Sequence, residues 1–331
     1  MAYSFELKNT GYLNDINVKN FENIALEIFN YQYKNNGLYQ QYTDAIGRVP
    51  SEVNAIEKIP FLPISFFKTH KVISGNWTEH ALLFESSGTT GEITSKHYVY
   101  DEQLYERSLL KGFKQFYGSP SDYTILGLLP SYLERKTSSL VHMARVLMRE
   151  SGHTACGFYL NEWDKLAAVL QQLENEQQPT LLLGVTFALL DFAEKHSLNL
   201  KHTIVMETGG MKGRREEWTR AEVHSFLKKQ LGLQQVHSEY GMTELLSQAY
   251  SKGDGIFYPS DTMKVLINDI NDPLEVQRTG TGVLNIIDLA NVHSCSFIAT
   301  EDIGTVNYNN SFEVLGRMDH SALRGCSLMA L

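Results

Sequence analysis

Between residues 124 and 232 the sequence alternates short apolar runs with longer segments whose apolar positions recur at helical spacing. TILGLLP (124–130), TLLLGV (180–185) and TIVMETGG (203–210) read as buried strands. SSLVHMARVLMRES (138–151), VTFALLDFAEKH (185–196) and REEWTRAEVHSFLKKQLG (215–232) read as helices, the last stopped at Gly232. Strands separated by helices of this length pair through crossover connections, which makes the sheet largely parallel. The expected fold class is α/β.

The flanks differ from this core. Residues 1–60 read as helical, with Phe21, Ile24, Ala25, Ile28 and Phe29 on one face, until Pro60 and Pro63 stop any helix. From Ala81 to Tyr100 the pattern is strand (ALLF), glycine-bearing hydroxyl-rich loop, strand (HYVY). After Gly253 come short β-like runs, MKVLIND, GVLNIIDL, CSFIAT and FEVLG, which predict a smaller β-rich lobe. The expected division is a helical segment at 1–60 packed on the core, an α/β core at 61–252 and a β-rich lobe at 253–331. With no repeat or Gly/Ser linker, the pieces are expected to pack as one body.

Composition excludes several functions. A net charge of −9, from 29 Lys+Arg against 38 Asp+Glu, and no local basic patch exclude a general polyanion binder, so no nucleic-acid partner is expected. Cys156, Cys295 and Cys326 are odd in number, widely spaced and without a CxxC or Cys/His cluster, which argues against a disulfide scaffold or structural zinc. The N-terminus lacks the apolar run of a secretory signal, and every apolar stretch is far shorter than the about 20 residues of a membrane span. A cytoplasmic location is expected.

Five strings carry chemistry. Ser86-Ser87-Gly88-Thr89-Thr90-Gly91 has two glycines that admit close backbone approach and four hydroxyls beside exposed amides, which suits phosphate; it lacks the GxxxxGK[ST] of a Walker loop. Gly209-Gly210 follows a strand at the carboxyl edge, where open α/β sheets bind ligands. Glu239-Tyr240-Gly241-Met242-Thr243-Glu244 offers an aromatic ring for a base and a carboxylate for Mg²⁺. Thr300-Glu301-Asp302-Ile303-Gly304 and Gly316-Arg317-Met318-Asp319 offer an acid and an arginine suited to a ribose. Taken singly, each string is also what an ordinary turn would show. Their order along one chain says more.

That order, SSGTTG, GG, EYGMTE, TEDIG and LGRMD, resembles the adenylate-forming enzymes, the superfamily of acyl-CoA ligases and adenylation domains. Within it, PFLPISFFKTHKV (60–72), ETGGMKGR (207–214), EYGMTE and the terminal RGCSL (324–328) resemble the LuxE-type acyl-protein synthetases. The resemblance implies that Ser86–Gly91 holds the ATP phosphates, that Gly209 and Gly210 line the adenine pocket with Tyr240 packed on the adenine, and that Gly241 is among the nucleotide-binding residues. It further implies that Thr243 touches the α-phosphate, Glu244 binds Mg²⁺, and Asp302 and Arg317 hold the ribose. The implied reaction joins a carboxylate to the α-phosphorus of ATP, releasing pyrophosphate, after which a thiol captures the acyl group.

The sequence departs from the superfamily in two places. Gly91 is followed by Glu92-Ile-Thr-Ser rather than Pro-Lys, so Lys96 is the lysine available to the phosphates. Few residues follow Arg317, so the mobile C-terminal domain with its catalytic lysine is expected to be absent. Lys212 or Lys96 substitutes for it, adenylation runs without it, or a separate protein completes the site. By the same resemblance Cys326 is the expected acyl acceptor, with Arg324 and His320 favouring its thiolate, ahead of Cys156 and Cys295. A small buried hydrophobe is the competing reading of Cys326. Ser131, Tyr132, His142 and Val185, near Ser138, Ser139 and Met143, are the candidate acyl-binding residues.

The expected activity is therefore ATP-dependent activation of a fatty or other carboxylic acid, with transfer to a protein cysteine and delivery to a reductase partner. An acyl- or aryl-CoA ligase of the phenylacetate type and a non-catalytic nucleotide-binding scaffold are the alternatives.

Overall fold

In a computed structural model, described for residues 11–87, 93–130, 137–209, 218–269, 272 and 274–318, the apolar runs lie side by side. Thr124–Leu128, Thr180–Val185 and Thr203–Thr208 pair in parallel register. Gly157–Phe158 extends one edge and His237–Tyr240 the other, also in parallel. Every residue of Thr124–Leu128 and Thr180–Val185 is buried, because helices cover both faces of a parallel sheet. The α/β expectation and its parallel core are borne out.

From His237–Tyr240 the sheet continues antiparallel through Ala249–Ser251, Ile256–Pro259, Phe312–Arg317, Phe297–Val306, Gly280–Asp288, Met263–Asn268 and Val276–Gln277. The β-rich stretch after Gly253 is thus joined edge to edge to the parallel strands. The expected strands ALLF (81–84) and HYVY (97–100) form a separate two-stranded hairpin, Leu82–Glu85 with Lys96–Val99.

Helix Phe21–Asn35 buries Phe21, Ala25, Ile28 and Phe29 as its spacing predicts. It also buries Gln32, whose Nε2 donates to Val292 O (2.9 Å) and whose Oε1 accepts from Ser296 N (3.0 Å). Two corrections concern helices. The helix expected from 215 begins at Arg220, because Thr219 and Glu222 form a reciprocal capping box that fixes the start; 215–217 lie outside the described residues. Helices Glu102–Tyr117 and Trp163–Asn175 are not in the sequence reading at all. In the first, the buried stripe passes through Ser108 and Gly112, which breaks its apolar signature. Among the described residues, no helix is long and apolar enough to cross a membrane.

Strand Phe297–Val306 shifts register against Phe312–Arg317 between Ile303 and Gly304. A Cβ on Gly304 would run into the Glu313 carbonyl oxygen, whereas a Cβ on Gly157 would meet nothing within 4 Å. Gly304→Ala should lower unfolding stability by about 1–3 kcal/mol, and Gly157→Ala by no more than about 0.5 kcal/mol, as read by urea unfolding. Equal effects would contradict this account of the strand pair.

Candidate active site

Tyr240 ends the last parallel strand. It is buried, edge-on to Phe257 and Phe312, and its hydroxyl donates to Asp302 Oδ2 at 2.8 Å. Asp302 stands directly opposite Arg317 in the antiparallel pair, so sheet register brings the TEDIG and LGRMD strings together. Arg317 Nε lies 4.0 Å from Asp302 Oδ1, and its Nη2 lies 3.5 Å from Glu301 Oε2. Burial pushes the Asp302 carboxyl above the usual range, against the Tyr240 hydrogen bond and the Arg317 charge.

The turn after Tyr240 places Thr243 and Glu244 against the hairpin. Glu244 is buried; burial raises its carboxyl, a hydrogen bond with the Ser95 side chain opposes this, and the Arg317 and Lys68 charges contribute least. Ser95 N donates to Ser86 Oγ at 2.9 Å, which ties the same residue to the start of the hydroxyl-rich loop. His97 Nδ1 lies 2.8 Å from Thr243 O and its Nε2 lies 3.0 Å from Asn291 Oδ1. Asn291 Nδ2 donates to Glu244 O at 2.7 Å. Burial pushes the His97 ring down to about 4, against its contacts with Thr243 and Asn291, which pull the other way. A buried carboxyl with the Ser95 hydroxyl beside it is the oxygen chemistry that a hard divalent cation such as Mg²⁺ takes.

Two further carboxyls lie at the strand ends. Burial would raise Glu207, but His224 and Arg220 outweigh it and hold it below the usual range; Thr186 Oγ1 donates to it at 2.9 Å. Glu239 is the opposite case: burial pushes it up to about 7 despite a 2.6 Å bond from Thr208 Oγ1. A Cβ on Gly241 would collide with Glu239 Oε1, which explains the glycine. Gly209, at the end of Thr203–Thr208, takes φ +74°, a backbone that suits glycine.

The remaining sequence candidates are scattered. Ser87 is exposed, and Lys96 faces Glu85 at 3.8 Å. Val185 is buried where its strand passes into helix Thr186–Lys195. His142 packs on Phe84 and Tyr105, with Nε2 3.7 Å from Glu102 Oε1. His142, Glu102 and Glu106 bring possible ligand atoms within 4.8 Å of one another, yet Arg149 occupies both Glu106 oxygens at 2.9 and 2.8 Å. Cys156 is half-buried beside Ser151 Oγ (3.2 Å); Cys295 is buried and pushed up to about 12 by burial. Gly88, Thr89, Thr90, Gly91, Ser131, Tyr132, Gly210, Lys212 and Cys326, with His320 and Arg324, lie outside the described residues.

Sequence reasoning missed His97, Asn291 and Asp288. Asp288 and Asn291 interrupt apolar runs and His97 opens one after Lys96, and that was the available signal. Asp288 is fully buried and accepts from Leu246 N (2.7 Å), Ser247 N (3.0 Å), Ser247 Oγ (2.6 Å) and Ala290 N (3.0 Å).

Comparison with solved structures places the fold in a known class: the chain has the fold of the adenylate-forming ligases. A 2-hydroxyisobutyryl-CoA ligase bound to 2-HIB-AMP superposes with a TM-score of 0.70 at 12% identity, over 91% of this chain and 68% of that one. ATP-bound MatB from Rhodopseudomonas palustris gives 0.53 at 17% identity, over 71% and 47%. O-succinylbenzoate coenzyme A synthetase from Bacillus subtilis, with ATP and magnesium ion, gives 0.51 at 14% identity, over 71% and 49%. The chain thus spans about half the length of the last two. No family model matches it.

Among curated proteins the chain is similar to a long-chain-fatty-acid–luciferin-component ligase from Photorhabdus luminescens, 34% identical over 68 residues, 20% of this chain and 58% of that protein. The LuxE-type resemblance read from the motifs is borne out by this match together with the fold.

The Glu239 carboxyl makes stability pH-dependent. Its folded pKa lies above the unfolded value of 4.5, so the native state is favoured below that value and loses stability as pH rises through about 7. Relative to Glu239→Gln, the wild type should lose up to about 3 kcal/mol between pH 4.5 and 8, measured by urea unfolding. A difference constant across that range would refute the assignment.

Proposed function

We propose that the chain is an ATP-dependent acid–thiol ligase of the acyl-protein synthetase kind. The observation that carries this reading is one cluster at the carboxyl edge of the strands: Tyr240, Asp302 and Arg317 on one side, Thr243 and Glu244 on the other, joined to the hairpin that leads into Ser86–Gly91. The similarity to a long-chain-fatty-acid–luciferin-component ligase supports a fatty acid as substrate.

In this reading Ser86, Ser87, Gly88, Thr89, Thr90 and Gly91 donate to the ATP phosphates, with Lys96 or Lys212 adding a positive charge. Gly209, Gly210, Tyr240 and Gly241 shape the adenine site, and Asp302 and Arg317 take the ribose hydroxyls. Thr243 donates to the α-phosphate, and Glu244 would hold Mg²⁺, which supplies charge neutralisation when bound. Ser131, Tyr132, His142 and Val185 line the acyl side. A carboxylate oxygen of the acid bonds to the α-phosphorus while the bond to the β-phosphate oxygen breaks and pyrophosphate leaves. The Cys326 thiolate then attacks the acyl carbon, AMP departs, and the thioester passes to a reductase partner.

Carboxylate-dependent exchange of labelled pyrophosphate into ATP tests the first half. Exchange should appear with medium- or long-chain fatty acids, and Glu244→Gln should lower it about 10²–10³-fold. ATP binding without exchange for any acid would instead support a non-catalytic scaffold.

Mass spectrometry after incubation with ATP, Mg²⁺ and fatty acid tests the second half. Acylation should vanish in Cys326→Ser while exchange persists, and acylation surviving that substitution would refute Cys326 as acceptor. Several structural neighbours are CoA ligases, one of them solved with 2-HIB-AMP and CoA, so free CoA is the competing acceptor. Rapid thioester formation on CoA would favour that alternative.

A further inference from the structure

We infer that His97 is a positioning residue, which with Asn291 sets the Thr243–Glu244 turn against the Leu82–Glu85/Lys96–Val99 hairpin; this rests on the acid-activation reading above. Among the described residues the hairpin Leu82–Glu85/Lys96–Val99 shares no backbone ladder with the large sheet; Glu85 N donates to Thr137 O at 2.9 Å, and side chains supply further ties. Strand alternation turns His97 and Val99 inward while Lys96 faces solvent. From there the ring reaches two points remote in sequence, Thr243 O at 2.8 Å and Asn291 Oδ1 at 3.0 Å.

Asn291 carries the connection one step further, because its Nδ2 donates to Glu244 O at 2.7 Å. The backbone oxygens of both Thr243 and Glu244 are thereby gripped by one imidazole and one amide, each nearly inaccessible to water. Phe67 stands edge-on to the ring at 5.7 Å and fixes its plane. A leucine would fill the same volume without the cost of burying a polar ring, so packing alone does not explain a histidine here. Two residues before it, Ser95 bonds the Glu244 side chain and also Ser86 Oγ. Ser95, just before the strand, therefore holds Glu244 at its carboxylate, and His97 within it holds the same residue, through Asn291, at its peptide.

Neither side chain need touch a substrate. Their effect is to fix the separation between the hairpin and the groups expected to meet the α-phosphate and Mg²⁺, and a shift of about 1 Å at such a site costs up to about 10²-fold in rate.

The test compares His97→Leu, which keeps volume but removes both ring nitrogens, with His97→Asn, whose amide can still donate to Thr243 O. Acid-dependent pyrophosphate exchange, the KM for Mg·ATP, Mg·ATP affinity by calorimetry and the thermal midpoint are measured on the full chain. His97→Leu should slow exchange about 10- to 100-fold and weaken Mg·ATP binding, and His97→Asn should restore most of both at a similar midpoint. Asn291→Leu should reproduce the His97→Leu defect.

Wild-type kinetics from His97→Leu would overturn the inference. So would equal failure of both His97 variants, since that assigns the ring a purely structural part. If the wild type shows no exchange, the acid-activation reading fails and Mg·ATP affinity alone judges His97. Unchanged affinity in His97→Leu then overturns the positioning role.

Discussion

The segment that follows Tyr240 is held by one carboxylate without access to water. Asp288 ends the long antiparallel strand Gly280–Asp288 and accepts two backbone amides and a hydroxyl from Leu246 and Ser247, with a further amide from Ala290. An acid buried so deeply is tolerable only when its oxygens are saturated with donors, and these are. Because Asp288 belongs to the antiparallel half and Tyr240 to the parallel half, this one group locks the two parts of the sheet at the place where the motif residues gather. Ser247 Oγ also meets Thr262 (2.8 Å) and Ser108 (3.0 Å), which brings helix Glu102–Tyr117 into the same polar knot.

Around that anchor, chain topology does most of the assembling. Parallel strands deliver their C-terminal ends to one edge, so Gly209 and Tyr240 arrive there by construction. Asp302 and Arg317 come from the other direction, as opposite partners across an antiparallel pair, and the Tyr240 hydroxyl closes the gap between the halves. The overall charge of −9 has little bearing on this edge. Local environment sets the behaviour of each group: Glu207 is offset by Arg220 and His224, whereas Glu239, one strand over, has no comparable compensation and titrates near neutrality.

Much of this was legible in the sequence. Period and length of the apolar runs gave the three central parallel strands but not Gly157–Phe158 or His237–Tyr240, together with four of the helices, and the ordered strings named Tyr240, Glu244, Asp302 and Arg317. What stayed hidden depends on register and on contacts between distant segments. Nothing in TEDIG or LGRMD states that Asp302 faces Arg317; a register shift at Gly304 decides it. His97, Asp288 and Asn291 read as isolated polar interruptions because their partners lie far away along the chain. Helix Glu102–Tyr117 escaped because Ser108 and Gly112 are small for a tertiary reason: a Cβ on Gly112 would sit 3.1 Å from that of Ser260.

The central claim is that a nucleotide-bound acyl group sits at this edge, between the hairpin and the antiparallel half. A crystal structure with a non-hydrolysable acyl-sulfamoyl adenosine tests it most directly. The account predicts ribose hydroxyls on Asp302, the base beside Tyr240 and Gly209, and the sulfamoyl group facing Thr243. An analogue bound elsewhere, with the Tyr240–Asp302 contact untouched, would contradict it.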